Sequence, residues 1–90
     1  MVPPLKLDGA RVLEFAKPPP EGFGHYQGSD GEMMLITFVA IATYDDLEFY
    51  LFSCDEHWNV VGDQLYASRE EARNDALRWY QVKAIEWIKA

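Results

Sequence analysis

Apolar positions along the chain fall into runs separated by Gly-, Pro- and Asp-rich breaks, and the spacing within each run predicts what it forms. Ala10 to Ala16 is rich in strand formers (Val12, Leu13, Phe15) and follows the turn pair Asp8–Gly9, so it predicts a strand. Pro18, Pro19 and Pro20 end it, because none can donate to a ladder and each pushes its predecessor toward extended geometry. Residues 18–32 then read as a long flexible Pro/Gly-rich loop, with a short extended piece around His25–Gln27. Met33 to Tyr44 is β-branched and aromatic with no Gly or Pro, and predicts one long strand. Met33, Leu35, Val39 and Ile41 fall on one face and Met34, Ile36, Phe38, Ala40 and Ala42 on the other. A strand apolar on both faces belongs in the middle of its sheet, covered on both sides.

The turn Asp45–Asp46 leads into Leu47 to Cys54, where Leu47, Phe49 and Leu51 alternate with Glu48, Tyr50 and Phe52, which predicts a hairpin. A second polar turn, Asp55–Glu56, leads into a strand over His57 to Val61, and Gly62–Asp63 is expected to end or bulge it. Ser68 followed three residues later by Glu71 is a capping box, which places a helix start there. At about 100° per residue, Ala72, Ala76, Leu77, Trp79, Tyr80, Ala84, Trp87 and Ile88 share one broad sector, expected to lie across the sheet. Val82 and Ile85 fall on the outer side, so the last two turns read as apolar all round, buried by another part of the fold or used between copies.

This order predicts the α+β class: an antiparallel sheet of about four strands, with a meander of three consecutive strands, covered on one face by a C-terminal helix. Ninety residues hold one core, so residues 1–90 are expected to form a single domain. The sheet face without the helix must be hidden by the loop, by the N-terminal segment or by a second copy of the chain.

Charge changes the picture more than size does. Eight Lys and Arg against 15 Asp and Glu give a net charge of −7, which repels the phosphate backbone that a nucleic-acid binder must neutralise. The same field attracts basic partners. Cys54 is the single cysteine, which excludes an intramolecular disulfide and fits a cytoplasmic home. MVPPLKLDGARVLEF lacks the apolar run of a signal peptide, and Met33 to Thr43 is shorter than the roughly 20 residues that span a bilayer.

Candidate chemistry is thin. Ser53-Cys54-Asp55-Glu56-His57-Trp58 gathers a thiol, carboxylates and an imidazole, but without the ligand spacing of a metal site, and it reads best as a turn. His25 in the glycine-rich loop or His57 would serve an enzyme only in a cleft beside a second polar group. Gly22, Gly24, Gly28 and Gly31 match no phosphate-binding pattern, and no cofactor or metal is expected. In a meander, the Asp45–Asp46 turn and Asp63 would lie at the sheet end where Glu70 and Glu71 begin the helix, forming an acidic rim.

The stretch FYLFSCDEHWNVVGDQLYASREEARNDA resembles small acidic bacterial accessory proteins, of the immunity type or encoded by mobile gene cassettes: two strands, a polar turn before a Trp, a short strand, then a Ser-capped helix. The resemblance implies a binding role, often inhibitory, toward a basic toxin-like enzyme. The leading expectation is therefore a non-catalytic interaction protein that engages a basic partner protein through Asp45, Asp46, Asp63, Glu70 and Glu71, with a homodimer contact at Val82, Ile85 and Ile88. Its rival is a small-molecule binder with an aromatic pocket between sheet and helix, walled by Tyr50, Trp58, Trp79 and Tyr80.

Overall fold

The computed structural model describes residues 2–83 and 86–90. In chain order the elements are β1 (Lys6–Leu7), β2 (Ala10–Ala16), β3 (His25–Gln27), β4 (Met33–Leu35), β5 (Phe38–Thr43), β6 (Phe49–Cys54), β7 (Val60–Tyr66), α1 (Arg69–Tyr80) and β8 (Trp87–Lys89). The architecture is α+β with antiparallel pairing and a C-terminal helix, as the pattern predicts. The main sheet, however, has six strands where about four were expected, and it curls into a half-barrel in the order β1-β2-β5-β6-β7, with β8 also paired to β2.

All six residues of β5 are buried, and it is flanked by β2 and β6, the interior position expected for that segment. The apolar run does not stay in one strand, however. The chain bends at Ile36–Thr37, where Ile36 pairs with Phe23 and Gly24 while the Thr37 N–H donates to the Cys54 carbonyl at 2.9 Å. Upstream of the bend, β4 pairs with β3 in a separate two-stranded sheet, and Met33 is 61 % exposed. Within β5 the two faces divide as the alternation requires. Phe38, Ala40 and Ala42 join Leu7, Val12, Phe15 and Phe52 inside the curl, and Val39 and Ile41 pack toward the helix with Ala72 and Ala76. The alanines are small enough for the facing strands to close over them, which is how the sheet covers much of its own second face.

Trp58 completes that cover. It lies in the turn between β6 and β7 at a φ of 65°, and its ring stacks on Phe38 at a centroid distance of 4.0 Å and meets Phe15 edge-on at 6.0 Å. The left-handed backbone costs roughly 1–2 kcal/mol for a residue with a Cβ, and aromatic packing offsets it. Strand β7 runs through Gly62 and Asp63 to Tyr66, instead of ending or bulging there; the register shift falls just before them, where Ser53 faces Gly62 but Cys54 faces Val60. A Cβ at Gly62 would come within 2.6 Å of the Ser53 hydroxyl, so a larger residue there would make the Ser53 side chain turn away. Among the described residues β7 pairs with β6 alone.

Two short strands account for the larger sheet. Asp8 and Gly9, both at positive φ, make the two-residue turn that joins β1 to β2. At the other end the helix stops at Tyr80, well short of the expected Ile88. Gln81 adopts the left-handed conformation, its N–H reaches the Ala76 and Leu77 carbonyls, and the Val82 N–H bonds the Ala76 carbonyl at 3.3 Å. This closing motif buries Val82 against the helix. Trp87–Lys89 then extends along β2, because pairing with an otherwise open strand edge outweighs the weak helical preference of the segment. Leu77 and Trp79, expected on the buried sector, are exposed, and Ala84 lies outside the described residues.

Helix α1 starts where the capping box places it: the Ser68 hydroxyl accepts from the Glu71 N–H at 3.1 Å, and the Glu71 carboxylate accepts from the Ala67 N–H at 3.2 Å. It is clamped to the sheet by Glu14, a side chain only 4 % exposed. A bulge between Val12 and Glu14 shifts the register by one, so Glu14 stands opposite Ile41 on the helix face and Phe15 opposite Ala40 inside the curl. The Arg73 Nε and Nη2 donate to Glu14 at 2.5 and 2.6 Å, and the Arg69 Nη2 donates at 2.5 Å. Burial pushes the Glu14 carboxyl up, but the hydrogen bonds and charges of Arg73 and Arg69 outweigh it and hold it below its ordinary 4.5.

Two predictions test this anchoring. Replacing the cap, Ser68→Ala, is expected to lower stability by about 1 kcal/mol in a denaturant titration, with the slope unchanged. Glu14→Gln is expected to cost about 2 kcal/mol at neutral pH. Because the folded carboxyl is depressed, its contribution is present above 4.5 and lost as pH falls through the lowered value. Thermal midpoints of native and variant protein should therefore converge on the acid side of 4.5, and a gap constant with pH would contradict the ion cluster.

Candidate functional site

The outer edge of β2 carries two short strands laid end to end. β1 pairs at Ala10 and Arg11, and β8 pairs from Glu14 to Ala16. Between them the Val12 N–H donates to the Leu5 carbonyl and the Ala90 N–H donates to the Leu13 carbonyl, each at 3.0 Å, so the edge is satisfied without further partners. On the curled face the segment before β1 and strand β8 leave a groove of about 650 Å³ between them. Its floor is Val12 and Phe15, both core residues, and Val2, Leu5 and Ile88 form its sides. Pro3 and Pro4 lie in the same wall, where their missing N–H groups present no backbone donor to the groove. Leu5 is 88 % exposed and Ile88 40 %. Core and surface meet here without a polar layer between them.

Lys6, Arg11 and Lys89 also line the groove, and no Asp or Glu does. In the ladder Lys6 and Lys89 alternate with Leu7 and Ile88 and stand across from Arg11 and Glu14, so their side chains set out from the other face of the sheet and border the groove only at the strand edge. Arg11 is ion-paired with Asp46, which places the hairpin turn after β5 beside the start of β2.

With Phe49 opposite Tyr66, the Asp45–Asp46 turn and the start of α1 with Glu70 and Glu71 lie at one end of the sheet, and Asp63 is set apart from them. Asp45 is committed to its turn, its Oδ1 accepting the Leu47 and Glu48 N–H groups at 2.9 and 3.1 Å, which lower its carboxyl. Asp46 holds Arg11. Asp63 stands opposite Phe52 in the middle of β7 and borders a small cleft with Trp79 and Tyr80 at the helix's far end, whereas Glu70 and Glu71 occupy its first turn. The structure thus keeps Asp63 apart from the turn it was expected to join.

The four aromatic residues expected to wall one pocket are separated by the sheet itself. Tyr50 and Trp58 pack on the curled face, and Tyr80 packs on the helix face, edge-on to Phe23 at 6.3 Å. Trp79 is 62 % exposed. Of the residues expected between copies, Val82 is buried within the chain, Ile88 sits in β8, and Ile85 lies outside the described residues.

The cluster around Cys54 is a turn. The Asp55 Oδ1 accepts the His57 and Asn59 N–H groups, both at 2.9 Å, and its Oδ2 accepts from the Asn59 amide at 3.1 Å. Burial raises the Asp55 carboxyl, but the bonds from Asn59 and His57 outweigh it and bring it below its ordinary value. His57 is exposed, with its Nε2 3.6 Å from Glu56, and His25 is exposed on β3. Cys54 is buried inside the curl, where burial, with the charges of Asp55 and Asp8, pushes its thiol up to about 12. Among the described residues no group of three or more His, Cys, Asp or Glu is placed to hold a metal ion, and no helix is long and apolar enough to cross a membrane.

No protein-family model, curated protein or solved structure matches the chain. The groove itself was not foreseen from sequence. Its residues are contributed by both ends of the chain, and the one local signal was the pairing of Val2 and Leu5 around Pro3–Pro4 ahead of a strand. The buried thiol gives a direct check on the curled face. Cys54 is expected to resist a disulfide reagent such as DTNB in native protein at pH 8 and to react within the mixing time in denaturant; fast native labelling would show that this face opens.

Proposed function

We propose that the protein is a non-catalytic binding protein that takes a small apolar ligand in the groove beside β2. The observation that carries this reading is an open cleft with an apolar lining: Val12 and Phe15, both core residues, lie at its floor, and the exposed Leu5 and Ile88 form its sides. Its volume of about 650 Å³ falls within the 300–1,000 Å³ range common for small-molecule sites. A ligand seated there would remove Leu5 and Ile88 from water, and the ladder bonds on both sides of the groove hold its walls before the ligand arrives. This keeps the small-molecule reading of the sequence but moves the site to the face opposite the helix.

A basic protein partner is the second reading, favoured by the distribution of charge. Lys6, Arg11, Lys89, Arg69 and Arg73 all lie beside β2 or bond to it, which leaves Lys17, Arg78 and Lys83 to balance the acidic residues over the rest of the chain. Glu70 and Glu71, exposed in the first turn of α1, belong to that acidic surface.

The groove reading is tested with the neutral dye N-phenyl-1-naphthylamine. Native protein is expected to bind it saturably at one site with a blue-shifted emission. Ile88→Arg places a charge at the groove's side without touching the buried floor, and is expected to weaken binding at least tenfold with an unchanged thermal midpoint. Equal affinity in the variant would place the dye elsewhere and remove the groove from consideration.

A further inference from the structure

We propose that a second cleft, at the C-terminal end of α1, binds a small organic ammonium ion. The site is independent of the groove reading: Phe23 and Tyr80 pack on the helix face of the sheet, and the floor of the groove belongs to the core inside the curl. The cleft has a volume of about 360 Å³, within the range of roughly 300–1,000 Å³ common for small-molecule sites. Phe23, Trp79 and Tyr80 line it together with Glu21 and Glu86, and among the described residues no Lys, Arg or His does.

Backbone bonds hold both walls in place. On one side Pro19 and Pro20 begin a turn closed by the Gly22 N–H on the Pro19 carbonyl at 3.0 Å, which sets Glu21 in the turn. The Phe23 N–H then bonds the Ile36 carbonyl at 2.8 Å and ties this wall to the bend before β5. On the other side α1 ends at Tyr80 with Gln81 in the left-handed conformation, and the Lys83 N–H donates to the Glu86 Oε1 at 3.0 Å. That neutral bond fixes the carboxylate and leaves its charge uncancelled. Arg78, the residue beside Trp79, faces Asp75 at 3.8 Å.

Three attractions converge here on a cation. Aromatic faces attract one through their quadrupole, the indole of Trp most strongly. The C-terminal end of a helix is the negative pole of its dipole. Glu21 and Glu86 add full charges. Trp79 is 62 % exposed and so supplies little to the core, which leaves its ring free to take a ligand. An inorganic cation would need a shell of oxygen ligands and gain nothing from the rings, whereas an ammonium ion carrying methyl groups uses rings and carboxylates together.

The test titrates choline and its uncharged carbon isostere, 3,3-dimethylbutan-1-ol, into the full chain and follows the Trp79 indole N–H by NMR. Choline is expected to shift that resonance saturably and to bind about tenfold more tightly than the isostere, with the difference shrinking as salt is raised. Trp79→Leu and Glu21→Gln are each expected to weaken choline by about fivefold, read in the first variant from the Gly22 amide. Both residues are exposed, so these variants are expected to keep the native thermal midpoint. Should Trp79→Leu unfold, Glu21→Gln and Glu86→Gln carry the test, the latter keeping an oxygen to accept the Lys83 N–H. Equal binding of choline and its isostere, or a choline affinity unchanged in the variants, would overturn the proposal. A lysine-rich peptide that shifts the Trp79 resonance while choline does not would overturn it in favour of a basic protein partner.

Discussion

One buried carboxylate orders this molecule. Glu14 has almost no contact with water, and it is stable as an anion because Arg69 and Arg73, one turn apart on α1, both reach it. The helix could not slide or rotate without stranding that charge. The apolar contact beneath α1 is modest, resting on Ala72 and Ala76, which fill little volume and would permit several registers. Charge-assisted hydrogen bonds with a bidentate geometry select one of them. Directional bonding does here what side-chain interlocking does in a larger core.

The bulge in β2 makes this arrangement consistent with the curl. Strict alternation from Ala10 and Val12 would carry Glu14 into the apolar interior of the half-barrel and Phe15 out toward the helix. The extra residue at Leu13 exchanges them. The carboxylate then meets the arginines, and Phe15 meets Trp58 and helps to floor the groove. A single backbone irregularity thereby serves the helix anchor on one face and the apolar cleft on the other.

Elements specified by neighbouring residues were legible in the sequence. The bounds of β2, the extended piece at His25–Gln27 and the Ser68 cap agree with the pattern, because a proline stop, a glycine-flanked polar run and a capping box each act within a few residues. What escaped was decided at a distance. Trp87, Ile88 and Lys89 continue a helical spacing, and no glycine marks the stop at Gln81; the segment becomes a strand because β2 offers it an edge. The bend at Ile36–Thr37 likewise depends on two ladders that claim the same apolar run. The groove was the least legible part, since Leu5, Phe15 and Ile88 have nothing in common along the chain and meet only once the sheet has formed.

Strand β7 is an open edge of the main sheet among the described residues, where its strand partner is β6 alone. Asp63 at its midpoint and Gln64 beside it are both exposed. A second molecule adding in register there would have to bring backbone against an unneutralised carboxylate. A charge beside a half-exposed apolar side chain such as Leu65 is the general form of a gatekeeper against fibrillar stacking.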